Sequence, residues 1–228
     1  MTTPRREFLG WIGMSTLVGA TAPSILTASP LPTTGSPGVP TGAADWDMSW
    51  TRRITGKHKL VFDAPELEGG LPVVRANGVG AQYAEVFGDP LSRISRVLVL
   101  RHHAIDFAMN DVHWKRFKLG EASGIKGADG SGVSYNPVRA PNDAIPAPFR
   151  QMMLEPFQQS GGQVLACNLA LQFLVVPRYV AAGMAADAAY AAAKADMLPG
   201  IILQPSGVFA VGVAQGAGCS YIPASAAE

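Results

Sequence analysis

The chain has 228 residues, 48% of them hydrophobic and only 15% charged, with a formal net charge of +1. Charge this sparse and balanced removes the electrostatic case for a nucleic-acid or anionic-membrane partner, because tracking phosphates needs a clear excess of Lys and Arg. Two cysteines are too few for a disulfide scaffold, so packing must hold the fold together.

Residues 1–30 read as a twin-arginine signal peptide. Arg5-Arg6 with Glu7, Phe8 and Leu9 matches the consensus, and an apolar run from Trp11 to Ala22 follows, diluted by Gly13, Ser15, Thr16 and Gly19. A spanning helix needs about 20 predominantly apolar residues, so a permanent membrane anchor is not expected here. Small residues suit cleavage at Val18-Gly19-Ala20 or at Gly42-Ala43-Ala44. The reading places the working protein in the periplasm or outside the cell. Residues 31–56, rich in Pro, Gly and Thr, read as a linker.

From Lys57 the texture changes to one α/β domain spanning residues 57–223. His58 to Asp63 is a first strand ended by Ala64-Pro65, and residues 71–87 carry helical spacing up to Gly88-Asp89-Pro90. Arg96 to Arg101 is a continuous apolar run of the kind buried on both faces of a parallel sheet. A helix from Asp106 to Lys118 follows, with Asp106 as its N-cap and Gly120 as its stop. Residues 120–148 lack periodicity and read as a long loop of the lid type. A helix from about Pro148 to Ser160 leads to a strand at Gln163–Cys167. Next comes a short helix from Asn168 that Pro177 should close, then an alanine-dense helical stretch over 178–197. A strand at Gly200–Gln204, a helix capped by Ser206 and a short strand at Cys219–Ile222 complete the pattern. Alternating strands and helices predict a three-layer α/β/α fold around a mainly parallel sheet of about five strands.

Ligands of open α/β sheets gather outside the carboxyl ends of the strands. Arg101, His102 and His103, then Cys167 and Asn168, then Ser206 and Gly207 all fall on that edge. Cys167 carries two readings. At a helix N-terminus beside an imidazole it is a nucleophilic thiolate, with His102 or His103 as its base. Otherwise it is a small apolar core residue. A bridge to Cys219 is disfavoured, because the two cysteines lie at opposite ends of their strands, about 17 Å apart along a five-residue strand. His102, His103 and His113 with Asp106 have no recognised ligand spacing, so no metal and no cofactor is expected. No G-x-G-x-x-G, P-loop or G-x-S-x-G pattern occurs at a strand end.

The blocks Val164-Leu-Ala-Cys167-Asn168, Pro199-Gly200-Ile-Ile-Leu-Gln-Pro205-Ser206-Gly207 and Gln215-x-x-Gly218-Cys219-x-Tyr221-Ile222 resemble the DsrE/DsrF-like family. With Arg101-His102-His103, Asp111-x-x-Trp114-Lys115 and Asn136-Pro137, they are most similar to its exported twin-arginine branch. The resemblance implies a three-layer homo-oligomer. It also implies, at the position of Cys167, a cysteine that accepts and passes sulfur as a persulfide, exchanging it with a sulfur-donor or acceptor protein. Ile222 stands where some members of that branch carry a second cysteine, which removes a paired-thiol site. Two functions are therefore expected: binding of a small ligand or partner through Arg101, Asn168, Ser206 and Gly207, or sulfur transfer through Cys167, His102 and His103.

Overall fold

The computed structural model describes residues 46–139 and 150–225. The chain divides into two units, Met1–Ala44 and Asp45–Glu228. The leader, residues 31–45 of the linker and residues 140–148 of the loop lie outside the described residues.

Strands His58–Ala64 (β1), Ile94–Leu100 (β2), Gln163–Cys167 (β3), Ile201–Gln204 (β4) and Ser220–Pro223 (β5) form one all-parallel sheet in the order β4-β3-β2-β1-β5. The register sets Phe62 beside Leu98, Leu98 beside Val164 and Leu165 beside Ile202. Successive side chains point to opposite faces of a strand, and burial follows that alternation. Leu60, Phe62, Leu98, Leu100, Val164 and Ala166 pack into one core, while Val61, Val97, Val99 and Leu165 pack into a second.

From β1 to β4 the chain steps across the sheet in one direction, so right-handed crossovers stack their helices on the first face. These are Leu71–Phe87 (α1), Asp111–Arg116 (α2), Leu119–Ser123 (α3), Leu154–Gln159 (α4), Asn168–Ala181 (α5) and Ala186–Ala195 (α6). The return from β4 to the far side of β1 reverses that direction. Its helix, Gly207–Gly216 (α7), covers the second face. The architecture is the three-layer α/β/α fold.

Several boundaries differ from the sequence reading, each for a tertiary reason. The packed body starts before Lys57: a 3-10 turn at Ser49–Arg53 drives Trp50 into the second core, where it is fully buried with Ile54. Asp106 is no N-cap. It is buried inside a 3-10 segment, His102–Ala108, and Asn110 caps α2 by accepting the His113 N–H at 2.9 Å. Pro177 does not close α5. The helix widens into a π turn at Leu171–Val175, and Pro177 enters the first turn of the next segment, where its missing N–H leaves no helical acceptor unserved. The alanine-dense stretch breaks at Gly183, so α5 and α6 meet at 113°. The 120–148 loop opens with the end of the Leu119–Ser123 helix, runs largely exposed to residue 132, and is then anchored. Val133, Asn136 and Val138 are buried, and Asn136 donates to the carbonyls of Phe107 and Met109 at 2.9 and 2.7 Å. Among the described residues no single helix is long and apolar enough to cross a membrane.

Candidate functional site

All five strands are parallel, so their carboxyl ends share one edge and carry the predicted residues there, which fall into two groups by their hydrogen-bond partners. The first group runs from the ends of β3 and β4 to Arg101 after β2 and its partners on β1 and β5. Cys167 closes β3 and caps α5: its Sγ accepts the Ala170 N–H at 3.3 Å, and the residue is only 6% exposed. The Oδ1 of Asn168 accepts the Tyr190 hydroxyl at 2.7 Å. Ser206 caps α7, its Oγ accepting the Phe209 N–H at 3.1 Å. Gly207 lies so close to Arg101 that an added Cβ would stand 2.4 Å from the Arg101 Cβ. Arg101 itself donates to both carboxylate oxygens of Asp63, at 2.6 and 2.9 Å, and the Tyr221 hydroxyl donates to the same carboxylate at 3.0 Å. The Asp63 hydrogen bonds raise the Arg101 guanidinium above its ordinary value. The trio ties the ends of β1, β2 and β5 together. Arg101, Asn168 and Ser206 thus spend polar atoms on internal partners. Both cysteines are free, as their opposite strand ends require, and burial pushes the Cys219 thiol up.

The second group lies beyond β1 and β2. The Nδ1 atoms of His102 and His103 meet the two carboxylate oxygens of Glu66, at 2.7 and 2.8 Å. Burial alone would raise the Glu66 carboxyl, but the contacts from His103 and His102 outweigh it and hold it below the usual range. Backbone hydrogen bonds pin the two segments together: Arg101 N–H donates to the Ala64 carbonyl at 3.0 Å and Ala104 N–H to the Pro65 carbonyl at 3.1 Å. His102 is left-handed, at φ 48°. That conformation costs a residue with a Cβ about 1–2 kcal/mol, and it persists because those bonds hold both sides of the turn. Glu66 escaped the sequence reading, which took Ala64-Pro65 as a mere strand terminator. An acid just past one parallel strand, opposite a His pair just past its neighbour, was the available signal.

Beside Glu66 opens a cleft of about 480 Å³, bordered by Glu68, His103, Asp106, Ser123 and Arg178 among others. Its floor is ionic. Arg178 reaches both oxygens of buried Asp106, the Nη2 contact at 2.9 Å. Behind this pair sits a sealed network. The Tyr179 hydroxyl donates to Asp196 and therefore accepts from the Nδ1–H of His113, 2.8 Å away. Nε2 of His113 then accepts from Arg178, at 3.5 Å. That arrangement describes a neutral imidazole, and burial first, then Arg178, push its pKa down to about 3 against some opposition from Asp196. His113 is fully buried and stands apart from His102 and His103, so the four-residue set weighed from sequence does not form one centre.

The sign of the His113 effect gives a testable outcome. Its folded pKa, about 3, lies below the roughly 6.5 of a free imidazole. Between those values the unfolded chain binds the extra proton, so acid removes stability, by up to about 1.4 kcal/mol per pH unit. Urea midpoints measured from pH 7 to pH 4 should fall more steeply for the wild type than for His113→Gln.

No protein-family model and no curated protein matches the chain. Its fold is similar to that of one solved structure. That protein of unknown function, MTH1491 from Methanobacterium thermoautotrophicum, is 16% identical, with 73% of this chain and 98% of that one covered at a TM-score of 0.39. Likeness at that level says nothing about activity.

Proposed function

We propose that this is an exported DsrE-like protein that binds a small polar ligand at the carboxyl edge of its sheet, in the cleft beyond β1 and β2. The observation that carries the reading is the convergence of Glu66, His103, Asp106 and Arg178 on one concavity of about 480 Å³. A few placed polar groups in a concavity of this size, outside the carboxyl ends of parallel strands, are what small-molecule sites consist of. Export rests on the Arg5-Arg6 leader. Self-association is part of the proposal and rests on the family resemblance alone.

The test blocks the cleft without touching the core. Ala122 is exposed on α3 and borders the cleft, so Ala122→Trp fills it and should leave stability within about 0.5 kcal/mol of the wild type. In a thermal-shift screen of small organic acids, amines and sugars, at least one compound should stabilise the wild type and lose that effect in the variant. Equal responses from both proteins would refute the reading.

A second reading, sulfur transfer at Cys167, is favoured by one contact: its Sγ already accepts the Ala170 N–H, the donor a sulfur anion would use. The thiolate would attack a terminal sulfur of an inorganic polysulfide and keep it as a persulfide, and the polysulfide shortened by one atom would leave with the electron pair. Intact-mass and peptide spectra after polysulfide treatment should then place one added sulfur on Cys167 and none on Cys219. This version does not call on His102 or His103, whose Nδ1 atoms meet Glu66.

A further inference from the structure

We propose that Glu66, His102 and His103 form a binding site for a first-row divalent cation of the Zn²⁺ type, with a coordination position open toward the cleft. One carboxylate and two imidazoles make an N₂O donor set, which suits borderline cations such as Zn²⁺ and leaves out Ca²⁺ and Mg²⁺, whose sites are built from oxygen. One donor atom from each of the three residues lies within 4.8 Å of the other two.

Consecutive residues on a regular helix or strand send their side chains apart. Here two neighbours send both rings to one carboxylate, their centroids 4.0 Å apart. The left-handed backbone of His102 makes this convergence, and the Arg101 and Ala104 backbone bonds hold it. Glu66 is anchored separately, its N–H donating to the buried Ser225 hydroxyl at 3.2 Å. The main chain is thus fixed on both sides of the site, while the imidazoles, 52% and 53% exposed, are free to adjust.

That freedom is needed. Tetrahedral zinc with ligands near 2.1 Å separates its donor atoms by roughly 3.4 Å, against the 2.7 and 2.8 Å that separate Nδ1 and oxygen here. Opening each contact by about 0.6 Å admits the ion between the rings and the carboxylate. Each imidazole then ligates through Nδ1 and carries its proton on Nε2. Glu66 and His103 also border the cleft, so the remaining coordination position faces it, where water or a ligand atom completes the sphere. The inference stands without any ligand in the cleft, because it concerns the ion alone.

The experiment titrates Zn²⁺ into the metal-stripped full chain against a chelating dye, with Glu66→Gln, His102→Ala and His103→Ala in parallel. The wild type should take up one tightly held ion, and each variant should weaken binding by roughly 100-fold or more while keeping its urea midpoint. Co²⁺ substituted into the wild type should show a nitrogen–oxygen d–d spectrum without a sulfur charge-transfer band. Absence of a tight site, variants that bind as tightly as the wild type, or a sulfur band assigning the ion to a cysteine would each overturn the proposal.

Discussion

Replacing Arg178 with alanine should lower the unfolding free energy by about 3–5 kcal/mol, the cost of leaving a buried carboxylate without its cation. Asp106 keeps only 7% of its side chain exposed, and Arg178 spans both of its oxygens. The same guanidinium serves Nε2 of His113, so its removal opens the sealed network as well. Arg178→Lys should recover only part of the loss, since a point charge cannot reproduce the two-pronged contact. The comparison is Arg93→Ala, whose cation sits 64% exposed over Asp89 and should cost no more than about 1 kcal/mol. Urea unfolding of the three variants checks the ranking. A loss below 1 kcal/mol for Arg178→Ala would mean that water reaches Asp106 and the cleft floor is not ionic.

Trp50→Ala should be comparably severe, at about 3–5 kcal/mol, because it empties a large volume from a closed core. Trp50 is fully buried among Val61, Val97, Val99, Leu165 and Ala210, and the Gln204 amide holds the neighbouring segment by donating to the Asp47 carbonyl at 2.9 Å. Its indole N–H has no hydrogen-bond partner among the described residues. Trp50→Phe should therefore cost much less, since it removes an unpaired buried donor together with part of the ring. A chain beginning at Lys57 should resemble the alanine variant. Denaturation midpoints for the three proteins decide whether the second face needs this turn.

The strands were the most legible part of the sequence. Gln163–Cys167 ends where the apolar run ends, and Ser206 caps α7 as its residue type suggests, because both signals are local. Where the reading missed, the deciding partner lay far along the chain. Asp106 has cap chemistry, but Arg178, 72 residues on, claims its carboxylate. Pro177 breaks an ideal helix, yet a π turn ahead of it absorbs the missing donor. Trp50 sits in a stretch whose composition suggests a linker, and only the bare second face of the sheet explains its burial. At the edge the carboxyl-end rule brought these loops together but could not name their partners. Cys167 and the histidines follow neighbouring strands, while Glu66, which takes both imidazoles, follows a third.

The proposed ligand enters beside Glu66 and Arg178, in a cleft whose lining does not include Cys167. Amide chemical-shift mapping tests it directly, by titrating a compound selected in the thermal-shift screen into ¹⁵N-labelled protein. The account predicts perturbations concentrated at Glu66 to Glu68, His103, Ala122 and Ser123. Perturbations centred instead on Cys167 to Ala170 and Ser206 to Phe209 would contradict it and return the site to the thiol.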